Sequence, residues 1–295
     1  MSFPRGLVLV VAGAAASAAC VMNVESQGYV AREEKRFEVA TRPDVHLVTF
    51  DGSIEVRTWD RNEVLVEIEK RGHTREAVDS IQVTADQTGN RVQLEARRPP
   101  GGERLLGMGF MVSRSARLIA TIPKSANVLA RTGDGTIRIE RVDGRIELRT
   151  EDGSVKGSEI SGDITVDTGD GSVVLQDIQG RLDARSGDGG LSVSGRLGVV
   201  RLSTDDGSVT ARVEPGSTMG DDWSISTGDG GVVLYLPGQF DAEVDAHSND
   251  GRVSSDLEVS GERSRDRQSL RGRLGSGGHA LKVRTGDGNI HLRVS

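Results

Sequence analysis

One cysteine, two tryptophans, two tyrosines and five histidines are all that this chain of 295 residues holds of the side chains from which disulfide frameworks and most enzyme sites are built. A lone cysteine excludes an intramolecular disulfide. Aromatic residues make up 3% of the sequence, and Trp59, Trp223, Tyr29 and Tyr235 form no platform for stacking sugar rings. The histidines, His46, His73, His247, His279 and His291, show no metal-ligand spacing. There is no nucleophile elbow, and no glycine loop opens a helix as a phosphate cradle requires. These absences lead to the expectation of a protein that is not an enzyme and carries no cofactor. A net charge of −7 argues against nucleic acid as the partner.

Glycine, by contrast, is abundant, with 39 in all. Between Thr132 and Gly216 ten of them, from Gly135 and Gly144 through Gly207 to Gly216, follow one another at intervals of nine residues without a slip. Fixed spacing of this kind marks a repeat architecture. Two residues after each glycine but the last the chain is aliphatic: Ile137, Ile146, Val155, Ile164, Val173, Leu182, Leu191, Val200 and Val209. Two further on it is aliphatic or small, as at Ile139, Leu148, Gly157 and Val166. Such alternation is the pattern of strands with one buried face.

Alternate units differ, so the full period is eighteen. One corner reads Thr or Ser, any residue, Asp, Gly, and opens at Thr132, Thr150, Thr168, Ser186 and Thr204. The other is looser and carries an extra apolar residue at Val142, Ile160 and Ile178. Asp-Gly is also a hairpin signal. A meander has no reason to keep its length fixed, whereas stacked rungs about 4.8 Å apart must. The expected fold is therefore all-β, a parallel two-sheet β-solenoid with rungs of about 18 residues. In the outward column Arg149, Asp167 and Arg185 alternate in sign, as suits neighbours on adjacent rungs.

Before residue 131 the repeat is blurred. Thr49 to Val56 copies corner and strand, and Thr88 to Leu94 is a weaker copy. Val64 to Ile68 and Leu118 to Ile122 read as further strands, and Arg71 to Asp79 as a short connector with helical character. Pro99 to Gly109 leads into the apolar run Leu105 to Val112, expected as a flap over the open end or side of the stack, with an apolar contact surface for a partner or a membrane as the alternative. After Gly216 the corner recurs at Thr227, Ser248 and Thr285, 21 and then 37 residues apart, so insertions should emerge as loops from the stack. The divisions expected are a signal peptide at 1–19, a tether at 20–36, irregular N-terminal rungs at 37–130 and a regular solenoid at 131–295, with an inserted basic loop at 262–280.

Arg5 and the apolar run Leu7 to Ala12, followed by small residues, read as a secretion signal too short to span a bilayer. Ser17-Ala18-Ala19-Cys20 resembles the lipobox of bacterial lipoproteins, with Ser17 where an aliphatic residue usually stands. That resemblance implies lipidation of Cys20 and a membrane-anchored protein facing periplasm or cell surface, on the outer membrane where the host has two membranes. The alternative is ordinary signal cleavage near Ala18.

Two groups of residues are site-like. Asp134, Asp152, Asp170, Asp188 and Asp206, continued by Asp229, Asp250 and Asp287, stack one carboxylate per rung, a candidate calcium column. Against calcium, aspartate and glycine also serve the corner itself, glycine by taking positive φ, and the Gly-Gly-x-Gly-x-Asp nonapeptide is absent. Arg263, Arg265, Arg267, Arg271 and Arg273, offset by Glu262 and Asp266, are candidate contacts for an anionic glycan; a solvated loop is the plainer reading.

With these corners behind a lipoprotein-like leader, the chain resembles the bacterial putative-adhesin domain family of unknown function, over roughly Phe37 to Ser295. The resemblance implies a non-catalytic envelope β-solenoid, adhesin-like or scaffolding, that contacts an envelope or extracellular protein or glycan, and it carries no site residues with it. The rival is a polysaccharide-binding or polysaccharide-cleaving β-helix protein. Rungs this short leave no room for the deep groove of a three-sheet prism.

Overall fold

The computed structural model describes residues 21–25, 28–98 and 114–295; the leader, Cys20 and the run Leu105 to Val112 lie outside them. The described chain is all-β, with 24 strands joined in one sheet and one short helix. The N-terminal strands are β1 (Val21–Glu25), β2 (Gly28–Glu38), β3 (Asp44–Thr49), β4 (Ile54–Trp59), β5 (Glu63–Gly72), β6 (Gln82–Thr88), β7 (Arg91–Arg97) and β8 (Arg114–Pro123). The helix α1 (Arg75–Asp79) lies within the expected connector, capped by Thr74, whose hydroxyl accepts from the Ala77 N–H.

The regular region follows as β9 (Asn127–Thr132), β10 (Ile137–Glu140), β11 (Asp143–Thr150), β12 (Val155–Ser158), β13 (Ser161–Thr168), β14 (Val173–Ser186), β15 (Leu191–Thr204), β16 (Val209–Val213), β17 (Trp223–Thr227) and β18 (Val232–Leu236). The chain ends with β19 (Ala242–Ser248), β20 (Val253–Ser255), β21 (Ser260–Arg263), β22 (Ser269–Leu274), β23 (Ala280–Thr285) and β24 (Ile290–Val294).

Two parallel ladders run through the regular region. In one, Ile137 pairs with Val155 and Val155 with Val173; in the other, Ile146 pairs with Ile164 and Ile164 with Leu182. Each step is eighteen residues. The nine aliphatic residues that follow the glycines face inward between the ladders and are at most 1% exposed. Gly157 belongs to the same core, where a methyl group would stand 2.7 Å from Ile160 Cδ1 and 2.9 Å from Leu175 Cδ2.

The ladders are not two separate sheets. At the looser corner β14 and β15 run on without a break, so one sheet folds around the core. Backbone conformation explains the bend: Arg141, Glu159 and Asp177 all take φ between 53° and 58°, and Gly162 and Gly180 lie at 117° and 116°. Left-handed residues recurring on successive rungs turn the strand while it remains paired.

The Thr/Ser-x-Asp-Gly corner works differently. Its glycines at 153, 171, 189 and 207 are not at positive φ. A methyl group on any of them would overlap the carbonyl oxygen of the glycine one rung below. Glycine is therefore needed here for rung-to-rung approach, which corrects the expectation that it serves positive φ. The corner hydroxyls point inward and are buried. Thr204 Oγ1 shares its proton between the carbonyls of Gly187 and Gly189 at 2.8 and 2.9 Å, and accepts from the Gly207 N–H at 3.2 Å. The same bond to a neighbouring rung recurs at Thr132, Thr150, Thr168, Ser186, Thr227, Thr285 and Ser248. Replacing Thr204 by valine keeps the shape and leaves these groups unpaired. Chemical denaturation should show a loss of about 1–3 kcal/mol.

Both ends depart from simple stacking. Val21 to Lys35, expected as an irregular tether, is mostly strand: β1 pairs antiparallel with β2, and β2 with β5. The sequence there reads as polar because one side of β2 carries Arg32, Glu34 and Arg36, while Ala31 and Phe37 are buried on the other. Val64 to Ile68 and Leu118 to Ile122 lie in β5 and β8, which pair antiparallel. Thr88 to Leu94 is no rung corner but the hairpin of β6 and β7, with Gly89 at φ 58°.

Rung order is also inverted at the ends. β3 lies between β7 and β9, and β4 between β8 and β10. At the other end β23 lies between β17 and β19, and β24 between β18 and β20. The last rung of the sequence is thus internal to the stack. The insertion expected as a loop is an antiparallel pair, β21 with β22, and β22 in turn pairs with the outer edge of β19.

Candidate functional site

The carboxylate column exists. Asp134, Asp152, Asp170, Asp188, Asp206, Asp229, Asp287 and Asp250 are all exposed at successive Thr/Ser-x-Asp-Gly corners. Its mutual repulsion is felt at Asp206, whose pKa is raised first by Asp229 and then by Asp188. At the far end Asp51 is also raised, chiefly by burial and then by Asp134, with Arg98 opposing. The column does not gather into a metal centre: among the described residues the grouping compact enough for a metal is Asp221, Asp222 and His279. Asp222 already accepts from the Ala280 N–H at 2.9 Å and from Lys282 Nζ at 3.3 Å, which lower its pKa, and Asp221 pairs with Arg201.

A raised carboxylate binds its proton more tightly in the folded state, so it opposes folding above its folded pKa and ceases to do so below the unfolded one. Asp206→Asn is therefore expected to raise the melting temperature at neutral pH. The gain should shrink with added salt and vanish as pH falls through the folded and then the unfolded pKa, as differential scanning fluorimetry across pH would show.

The arginines of the insertion do not converge. Arg271 Nε lies 3.1 Å from Asp245 Oδ1, and Arg273 Nε 3.3 Å from Glu243 Oε1, so both are spent on β19. Arg284 of β23 reaches Asp245 from the other side, and the two arginines lower the Asp245 pKa against the burial that would raise it. Arg265 and Arg267 are exposed at the hairpin tip, where Arg267 takes φ 62°. Arg263 ends β21. Two of the five arginines in the basic run, Arg271 and Arg273, are thus a structural clasp on the last rungs.

In the outward column the register is as expected, Arg149 opposite Asp167 and Asp167 opposite Arg185. The ion pairs, however, run along the strand, Arg149 to Glu147 at 3.0 Å and Arg185 to Asp183 at 3.1 Å. Residues two apart on a strand share a face.

Two open hollows mark the surface. One of about 460 Å³ lies at the looser corner around Arg196, Leu197 and Ser217. The other, of about 570 Å³, lies around Phe50, Arg98, Thr132 and Glu151. Trp223 is fully buried, donating to the Gly198 carbonyl at 3.0 Å and packing on Phe240. Trp59 donates to the Glu63 carbonyl, and Tyr235 lies beneath the Arg212 guanidinium, 4.1 Å from ring centroid to carbon.

A sheet wrapped around a thin aliphatic core, with corner hydroxyls bonded between rungs, defines an all-β stacked-rung protein whose polar chemistry is on its outer faces. The chain belongs to the Toastrack DUF4097 family, whose family model matches residues 46–293. That agrees with the resemblance to bacterial putative adhesins. Among solved structures it is similar to a putative lipid binding protein from Parabacteroides distasonis, at 13% identity and TM-score 0.42, over 88% of this chain and 96% of that one. A putative adhesin from Bacteroides fragilis is similar at 11% identity and TM-score 0.36, over 88% and 96%. A putative cell adhesion protein from Clostridium sporogenes is similar at 11% identity and TM-score 0.29, over 90% and 100%. No curated protein matches the chain.

Proposed function

We propose that the protein is a non-catalytic cell-envelope module, a β-solenoid of 18-residue rungs held at a membrane through Cys20 and offering its outer faces to a partner. The observation that carries this reading is the division of polar residues in the repeat. Inward hydroxyls and corner glycines serve rung contact, as at Thr204 and Gly207, which leaves recognition to side chains on exposed faces. A solenoid is suited to that work because its faces are long, flat and stiff.

Because β1 begins at Val21, a lipid on Cys20 would hold the folded body against the bilayer with no spacer between. Intact mass and membrane fractionation of the full chain expressed in a bacterial host test the anchor. A diacyl or triacyl mass on Cys20, lost in Cys20→Ala together with membrane association, is the expected outcome. An unlipidated wild-type chain in the soluble fraction would overturn it.

A further inference from the structure

The two ladders carry different charge on their outer sides. The ladder of β11, β13 and β17 presents acids and bases together, and its arginines at 149, 185 and 284 are each joined to a carboxylate. The ladder of β12, β16, β18 and β24 does not. Its outward columns follow from the register: Lys156, Val174, Ser192, Thr210, Val233 and His291 form one, and Ser158 with Gln176, then, past a register shift after Leu175, Ser194, Arg212, Tyr235 and Arg293 form the next. Beside them run Ser154, Ser172, Gly190, Ser208, Gly231, Asn289 and Arg252. From β12 onward these residues include no aspartate or glutamate, in a chain that has 44; acid enters the same columns only at β10 and β4, with Glu140 beside Ser158 and Glu55 beside Arg138.

The cations on this face are also unspent. Lys156, Arg212, Arg252 and Arg293 are exposed and are joined to no carboxylate among the described residues. Arg212 covers the half-exposed ring of Tyr235, and the register sets Arg293 on the ring's other side. The remainder of the face is mostly serine, threonine, glutamine and asparagine, groups that both donate and accept, with Val174, Val233, His291 and two glycines among them. The result is a flat, basic, hydroxyl-rich strip bordered by a ridge of carboxylates at the corner.

We infer that this face binds an anionic polysaccharide, one bearing carboxylate or phosphate groups along its chain. The inference rests on the reading of the protein as a display module and names the face and the class of partner. Charge complementarity selects the anion, since four unpaired cations on one face of an acidic protein gain most from a negative ligand. Hydroxyls and an aromatic ring suit sugars, and a long polymer meets repeated contacts along the rungs. A membrane surface fits less well, because the large apolar side chains exposed among the described residues are Tyr29 and Val294, off the middle of this face. Nucleic acid, with a phosphate at every nucleotide, would press continuous charge against the neighbouring aspartates.

The test uses the full chain carrying Cys20→Ala, without lipid or detergent, at low ionic strength, with polygalacturonate, neutral dextran and phosphatidylglycerol vesicles as probes. The expected result is retention on polygalacturonate, none on dextran, and weakening with added salt. Lys156→Gln, Arg212→Gln and Arg293→Gln combined should weaken retention at least tenfold, and so should Ser192→Glu with Thr210→Glu, which places acid on the face without removing a cation. Arg265→Gln with Arg267→Gln should leave it unchanged. No retention by the wild type, retention by both face variants equal to that of the wild type, or loss confined to the hairpin variant would overturn the inference. So would vesicle binding in place of polysaccharide binding, or self-association that accounts for retention. A wild-type chain found unlipidated by mass would sink the anchor and leave retention by this face standing.

Discussion

Gly171→Ala is expected to cost about 3 kcal/mol or more, or to prevent folding altogether. The added methyl would overlap the Gly153 carbonyl oxygen and would also come within 2.8 Å of Thr168 Oγ1. Neither can give way alone. Gly153 is fixed by its own rung, and Thr168 Oγ1 donates to that same Gly153 carbonyl at 2.9 Å. A shift at one corner therefore strains both neighbouring rungs, so the cost exceeds that of ordinary overpacking. Gly198→Ala is the control, since a methyl there would meet the Gly180 carbonyl at 3.6 Å, ordinary contact distance. Urea denaturation followed by circular dichroism separates the two. Equal stability of the two variants would show that the rungs are not in contact at the Thr/Ser-x-Asp-Gly corner.

Removing residues 280–295 should be far more damaging than the loss of a terminal rung in a stack built in sequence order. β23 pairs with β17 and β19, and β24 with β18 and β20, so truncation opens a gap inside the stack. It bares strand edges on both sides, which invites aggregation. It also removes Arg284, one of the two arginines that hold Asp245. The expected product is insoluble or lacks a cooperative melt, and a synthetic peptide of residues 280–295 added during refolding should restore soluble material. A truncated chain that stays monomeric and melts within a few degrees of wild type would contradict the internal position of the last rung.

The regular rungs are legible because two constraints repeat: a buried position every second residue between corners, and a glycine every nine from Gly135 to Gly216. What the glycines are for is not. Positive φ is a local property and explains Gly162 and Gly180, whereas Gly153 and Gly171 answer to a carbonyl eighteen residues away. In the sequence the corner threonines look like part of a turn. Their buried bonds to the neighbouring rung could have been inferred from the β-branched or hydroxyl residue recurring on the inward side of the strand.

The ends were illegible for a different reason. Strand order is decided by tertiary pairing, and nothing in the 37-residue spacing between Asp250 and Asp287 tells whether the later corner lies outside or inside the earlier one. The antiparallel strands β2 and β5 lack the corner motif entirely, so in the sequence the polar β2 is indistinguishable from a tether. The basic run at 263–273 overstated a site because sequence shows charges but not partners. The acid-free face left its signal in the sequence: set out in columns of eighteen, residues 154–158, 172–176, 190–194 and 208–212 contain no acid.

The stacking order itself is tested most directly by disulfide trapping in a Cys20→Ala background. Val233 and His291 are neighbours on adjacent rungs, and Ser254 lies beyond His291. Adjacent parallel strands about 4.8 Å apart fall within the Cα separation a disulfide tolerates, and strands two rungs apart do not. Val233→Cys with His291→Cys should therefore crosslink on mild oxidation, and Val233→Cys with Ser254→Cys should not, as read by the mass of non-reduced peptides. Crosslinking of the second pair in place of the first would mean that the rungs follow the order of the sequence, and would contradict the fold described.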